Sequence, residues 1–360
     1  MTFMKKNVQT KNFKKWHRNK SIKSSRKKIK RKNKKYDPHK QVLTLKNKRF
    51  INKKNQFKKP IIAPKRVSIL SDIKDIGVTV SFLSKIRNNK HVSIIDNSYY
   101  VSIDLSEITY IDFSTICVLK AAIQELLNKN IHTRGNFPKD KICKKIIEES
   151  GMLNLMTDMH GKEYKISESS ELLFIQTGKR KLTREDNMRI STTIKKAIKH
   201  LTGIENHCSR LRNILLEICG NSIEWGGTIN KGWLLGVKYN NDEVIFTITD
   251  VGNGILHTLN RKFRHQFLEF FQNSNDVDIL YNAFTRKYGS SSEEVNRNKG
   301  LPSIKKGADD GLLLNLKVIT NNVSLHFNNP KNSFQLNRNE DFQGTLYRWS
   351  ISVESLQTLN

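Results

Sequence analysis

The chain has 360 residues, with 64 Lys and Arg against 33 Asp and Glu, a formal charge of +31. Residues 1–66 hold 26 of those bases and a single acid, Asp37, so residues 67–360 carry a net charge of only +6. A uniformly basic histone-like or ribosomal protein is thereby excluded, and the chain reads as an ordinary globular body with a basic extension.

The first segment, 1–66, is rich in Lys, Arg, Asn and Ser around KSIKSSRKKIKRKNKK and has no sustained apolar period. It cannot bury enough surface to offset its ordering entropy, so the expectation is a disordered basic tail. Phe3, Phe13, Trp16, Tyr36, Phe50 and Phe57 are interleaved with the bases. Cations that neutralise phosphates and rings that stack on bases suit an RNA or DNA arm; an anionic membrane surface is the competing partner. The start, MTFMKKNVQT, has no apolar core of a signal sequence, and no apolar run approaches the ~18 residues of a membrane span. A cytoplasmic chain without a transmembrane segment is expected. The four cysteines lack CxxC spacing and the ten histidines do not cluster. Buried, reduced thiols and no protein-ligated zinc or iron follow.

Residues 67–164 read as a small α/β domain. VSIDLS (101–106) is a buried strand, and YIDFS leads into a helix over 114–129 with apolar spacing at Ile116, Leu119, Ile123 and Leu126. Ser114 stands at the N-cap position. IHTRG returns as a strand, and a second helix from Asp140 closes at Gly151. Strand, helix, strand, helix with short joints implies parallel pairing with helices packed on the sheet. The string DLSEITYIDFSTICVLKAAIQEL resembles the STAS domain of anti-sigma-factor antagonists. In that family a Ser or Thr of the strand–helix loop is phosphorylated, so the resemblance makes Ser114 a candidate phosphosite beside its reading as a helix cap.

Residues 165–360 carry the sharper pattern. ELLFIQTG is a linking strand, and a helix follows with Thr183 as its N-cap. A long amphipathic helix spans roughly 205–225, with Leu211, Ile214, Leu215, Ile218 and Ile223 as its apolar stripe. Glu217 and Asn221 stand four apart on it, hence on one face, where a carboxylate and a carboxamide can share a divalent cation and a water. Gly226 and Gly227 stop the helix. KGWLLGVKY and EVIFTITD form a hairpin whose second strand ends in Asp250-Val-Gly252-Asn-Gly254. A carboxylate there suits a flat hydrogen-bonding ring, with the glycines allowing close approach to the backbone. Asn298-Lys-Gly300-Leu301-Pro302 opens a short helix whose free amides suit phosphate. Gly344-Thr345 begins the last strand.

Together, in this order, these elements resemble the GHKL ATPase superfamily of gyrase-type topoisomerases, heat-shock chaperones and histidine kinases, in the style of anti-sigma-factor kinases. The resemblance implies a two-layer α/β sandwich of the Bergerat type with a mixed sheet over 165–360. It implies ATP and Mg²⁺ as ligands, with Asn221 on the metal and Glu217 orienting or deprotonating water. Asp250 would read the adenine amine, helped by Thr345; Gly252 and Gly254 would line base and ribose, and Gly300 and Leu301 would take the phosphates. Residues 255–299 would be a mobile lid, with Arg286, Lys287 or Arg297 reaching the γ-phosphate. The second glycine box reads N-K-G-L-P, and the resemblance therefore implies nucleotide binding more directly than rapid turnover. The functional expectation is a nucleotide-dependent switch, an ATPase or a Ser/Thr kinase acting on a STAS-like protein partner, with a homodimer as one arrangement. The alternative is a nucleic-acid-binding regulator that uses the fold only to sense nucleotide.

Overall fold

In the computed structural model, residues 55–164, 173–179, 182–225, 232–263, 275–285, 300–337 and 340–357 are described. Residues 1–54, the greater part of the expected tail, lie outside them, as do Gly226, Gly227, Arg286, Lys287, Arg297, Asn298 and Lys299. Residues 55–66 belong to the folded part, because β1 (Ile61–Ile62) already pairs with the first sheet.

The N-terminal half continues with β2 (Arg66–Val67), α1 (Ile73–Arg87), β3 (Ser93–Ile95), β4 (Ser98–Asp104), β5 (Tyr110–Ile111), α2 (Phe113–Asn128), β6 (Ile131–Gly135), α3 (Lys141–Glu149) and β7 (Met156–Thr157). The expected parallel pairing is present: β4 lies parallel to β6, and β6 to β7, with α2 and α3 as the crossovers. Strand β1 is parallel to β4, β3 is antiparallel to it, and β2 and β5 form a separate parallel pair. Asp112, not Ser114, caps α2. Its carboxylate accepts from the Thr115 amide at 2.8 Å and the Thr115 hydroxyl at 2.6 Å, while Ile69 donates its amide to both side chains. Ser114 instead lies inside the first turn, 1% exposed, with its hydroxyl 2.7 Å from that of Thr247.

The C-terminal half comprises β8 (Leu173–Lys179), α4 (Arg184–Thr202), α5 (Ser209–Trp225), β9 (Gly232–Tyr239), β10 (Val244–Asp250), α6 (Ile255–Phe263), α7 (Asp276–Thr285), α8 (Gly300–Asp309), β11 (Leu314–Asn321), β12 (Val323–His326), β13 (Phe334–Gln335), β14 (Phe342–Ile351) and α9 (Val353–Gln357). Thr183 caps α4 through a full capping box with Asp186, and Gly203 ends it at φ 77°. The seven strands lie in the order β13-β12-β11-β14-β10-β9-β8. Every described pair in this sheet is antiparallel, where a mixed sheet is expected. The protein is thus of the α/β class with a largely parallel and an antiparallel sheet.

Side chains alternate across the seven-stranded sheet, as the two-residue strand period requires. Val318, Tyr347, Trp349, Phe246 and Ile248 join the core under α4 to α8, while Ile319, Phe342 and Leu346 join the core of the N-terminal half. Helix α2 touches β6 on one side and β9 and β10 on the other; α1 touches α2, β1, β2 and β14. The seven-stranded sheet is therefore covered on both faces, and α1 and α2 form a layer between the two sheets. Within 165–360 the described helices pack on one face of the seven-stranded sheet, the N-terminal half covers the other, and residues 55–360 form one compact unit. Helix α2 is suited to this place because FSTICVLKAAIQELL is apolar nearly all round, the mark of a helix buried on more than one side.

Gly236 lets the layers close. A methyl there would collide with Cys117 Sγ and lie 2.9 Å from the Phe113 ring. We expect Gly236→Ala to lower unfolding free energy by about 1–3 kcal/mol, the usual range for an overpacked core, in urea denaturation.

A row of side chains crosses the sheet beneath α2: Gly236, Thr247, Arg348, Lys317 and His326 are successive cross-strand partners. Lys317 is 5% exposed and donates to the Leu70 carbonyl at 2.8 Å. Burial, reinforced by neighbouring Arg348 and opposed by Asp112, pushes its ammonium down to about 8. The sign follows: between about pH 8 and the ordinary lysine value the unfolded chain holds a proton that the folded chain has released. Stability from this group is full above the unfolded value and is lost as pH falls toward 8. Between pH 8 and 10, wild type should gain roughly 2 kcal/mol relative to Lys317→Met, read from urea denaturation at both pH values.

Candidate functional site

The predicted site residues come from four separated segments, and the sheet register brings them together. Asp250, the last residue of β10, pairs directly with Thr345 on β14, and both are buried at 4% and 5% exposure. They share a cleft of about 310 Å³ with Asn221 and Ser222 of α5, Gly254 and Ile255 at the start of α6, Leu301 of α8, and Tyr347. Five of the residues singled out from sequence, Asn221, Asp250, Gly254, Leu301 and Thr345, thus line one concavity.

Three others sit beside it. Gly252 donates its amide to Asp250 Oδ1 at 2.6 Å, so the D-x-G segment folds back on its own carboxylate and fixes the side chain's orientation. Glu217 and Gly300 meet behind Asn221. A methyl added at Gly300 would lie 2.9 Å from Glu217 Oε2 and 3.1 Å from Asn221 Nδ2. Glycine therefore lets the first turn of α8 lie directly on the Glu217–Asn221 face of α5. Pro302 is the third residue of α8, within the first turn where its missing N–H costs no helix bond. Asn221 Nδ2 is buried with no hydrogen-bond partner among the described residues. An orphaned amide of this kind is costly unless a ligand or water satisfies it.

The sequence reading missed the two residues that set the shape of the loop. Thr320 and Asn321 end β11, and Asn321 adopts φ 52°. Thr320 Oγ1 accepts from the Ile255 amide at 2.9 Å and donates to the Gly344 carbonyl at 2.9 Å. Asn321 Oδ1 accepts from the Leu256 and His257 amides, and its Nδ2 donates to the Asn253 carbonyl at 2.9 Å. The first amides of α6 are thereby satisfied from within, which makes its N-terminus an anchor rather than an anion site. Gly254, at φ 81°, is required because a side chain there would strike the Asn321 carboxamide. A Thr-Asn pair at a strand end, with Asn tolerant of left-handed backbone, is the signal that could have located this support. Tyr347 closes the cleft from below; burial, with the nearby Asp250 charge, pushes its phenol well above the usual range.

The expected lid divides. Its described parts, α6 and α7, are built into the core through Ile255, Leu256, Leu259, Ile279, Leu280, Ala283 and Phe284. Phe284 stands edge-on to Phe327, with ring centroids 4.8 Å apart. A mobile lid over the whole of 255–299 is therefore not what this segment forms; 264–274 and 286–299 lie outside the described residues.

All four cysteines are free and buried, as expected; burial pushes the Cys117 and Cys219 thiols well up and Cys143 to about 11. Among the described residues no cluster of His, Cys, Asp and Glu is arranged to hold a metal by itself, and no helix is long and apolar enough to cross a membrane. Neither a protein-family model nor a curated protein sequence matches the chain.

Proposed function

We propose that this protein binds Mg·ATP in the cleft between β10, β14, α5 and α8, in the manner of the GHKL ATPases, and uses the bound nucleotide as a switch. The observation that carries this reading is the convergence of Asn221, Asp250, Gly254, Leu301 and Thr345 on one cleft from four separate segments. Asp250 is held by its own loop amide so that its carboxylate accepts a flat donor such as the adenine amine. Thr345, its cross-strand partner, supplies a hydroxyl at the same depth.

The donor set on α5 fits the metal that the reading requires. Glu217 and Asn221 carry hard oxygen donors of the kind magnesium takes, and the orphaned Asn221 Nδ2, itself a hydrogen-bond donor, suits a phosphate oxygen rather than the metal. Magnesium bound there would neutralise phosphate charge. Asn221 would ligate it, with Glu217 positioned to hold a water, while Leu301 and the first turn of α8 approach the phosphates. Nucleotide binding is the core of the proposal; hydrolysis or transfer to a STAS-like protein is its extension.

The N-terminal half is the STAS-like part of the same reading. With Ser114 buried against Thr247, it acts in cis as a fixed element of the ATP-binding body, rather than as a phosphoacceptor exposed to solvent. Thermal unfolding with and without Mg·ATP, on wild type and on variants of Asp250 and Asn221, tests the proposal.

A further inference from the structure

The last turn of α1 sends one side chain to the backbone that flanks the cleft. Arg87 is 12% exposed, and all three nitrogens of its fork are used. Nε donates to Glu125 Oε2 at 2.7 Å, Nη1 to the Gln343 carbonyl at 2.6 Å and Nη2 to the Val251 carbonyl at 2.9 Å. Val251 directly follows Asp250, and Gln343 is separated from Thr345 only by Gly344. Asp250 and Thr345 are the last registered pair of the β10–β14 ladder. The guanidinium therefore occupies the place of the next rung, bridging two acceptor groups that cannot hydrogen-bond to each other. A rigid planar fork suits that task, which a lysine ammonium performs poorly.

The anchor of the fork is fixed as well. Glu125 of α2 is 8% exposed and also accepts from Lys129 at 2.8 Å. Burial opposes its ionisation, but Arg87 and Lys129 outweigh burial and hold the carboxyl below the usual range. The fork borders a second concavity, lined by Leu83, Val118, Val251 and Gln343 among others.

We propose that Arg87 is a positioning residue for the nucleotide cleft: it sets the separation of Asp250 and Thr345, so that affinity for ATP is built partly by the N-terminal half. This rests on the nucleotide reading given above. The consequence is that a partner or ligand prising α1 from the sheet would weaken nucleotide binding without touching the cleft.

The test uses the full chain, with Mg·ATP affinity from isothermal titration calorimetry and amide hydrogen exchange over 250–254 and 343–346 without nucleotide. Arg87→Ala should weaken binding at least about tenfold, the effect of losing charge-assisted bonds at a binding wall, and should speed exchange in both strips. Arg87→Lys should restore only part of the affinity. Gly236→Ala, which loosens the same layer contact without touching either carbonyl, should lower the unfolding temperature yet leave affinity within about twofold. Should Arg87→Ala fold poorly, Glu125→Gln keeps the shape, removes the anchoring charge and should weaken binding several-fold. Wild-type affinity in a folded Arg87→Ala, or an equal loss in Gly236→Ala, overturns the proposal. If wild type itself ignores Mg·ATP, the nucleotide reading fails. The exchange measurement then stands alone: unchanged protection in Arg87→Ala shows that the fork positions nothing.

Discussion

Asp250→Asn is expected to abolish the rise in unfolding temperature that Mg·ATP gives the wild-type protein. The substitution keeps the shape of the side chain and leaves one oxygen to accept from the Gly252 amide, at 2.6 Å in the wild type. What changes is the other position, where a donor replaces an acceptor and faces the adenine amine, itself a donor. A site built to pair with a polar group discriminates strongly when that pairing is reversed. Asp250→Ala should lose the same response but also destabilise the ligand-free protein, because the buried Gly252 amide then lacks its acceptor. Ligand present at a hundred times its dissociation constant stabilises by about 2.7 kcal/mol, several degrees in unfolding temperature for a chain of this length. Asn221→Ala should remove the part of the response that depends on magnesium, read by comparing Mg·ATP with ATP in excess chelator. A wild-type protein whose unfolding is indifferent to Mg·ATP would falsify the nucleotide assignment outright.

Much of this site was legible because its chemistry is local. The Thr183 cap, the β9–β10 hairpin and the Glu217–Asn221 spacing each depend on neighbours a few residues away. The cleft adds what spacing cannot: Asp250 opposite Thr345 is a matter of strand register across 95 residues of chain. Helix α1 escaped the reading because IKDIGVTVSFLSKIR mixes β-branched residues with Gly77 and is a weak helix on propensity alone. Asp72, whose side chain accepts from the Asp75 amide at 2.9 Å, was its readable signal. Arg87 left no local trace at all, since its carbonyl partners are 164 and 256 residues away. Helices α6 and α7 were assigned to a lid by analogy, although the apolar faces of ILHTLNRKF and DVDILYNAF already required a core. Resemblance supplied five of the eight residues that line the cleft; the packing of its walls had to be read from tertiary contacts.

Gly344→Ala should be the most damaging glycine-to-alanine change among the described residues. Gly344 lies on β14 at φ 137°, a region closed to residues with a side chain. A methyl there would run into the Asp250 carbonyl oxygen and lie 3.2 Å from the Val251 Cα. Both obstacles are backbone, held between β9 and β14 in the middle of the sheet and further tied by Arg87, so neither can yield as a flexible side chain would. The strained dihedral and the clash add together, and the loss should exceed about 3 kcal/mol, a large share of the stability of an ordinary domain. Gly220→Ala supplies the contrast. Gly220 lies in α5, and beyond its chain neighbours and its own helix backbone no described atom comes within 4 Å of the added methyl, so exchange for a better helix former should stabilise by about 0.5–1 kcal/mol. Urea denaturation of the two variants should therefore displace the midpoint in opposite directions. If Gly344→Ala unfolds within 1 kcal/mol of wild type, the close approach of β14 to the Asp250 carbonyl is wrong. The shape of the cleft would then need to be redrawn around a wider β10–β14 opening, one that no longer places Thr345 at the depth of the Asp250 carboxylate.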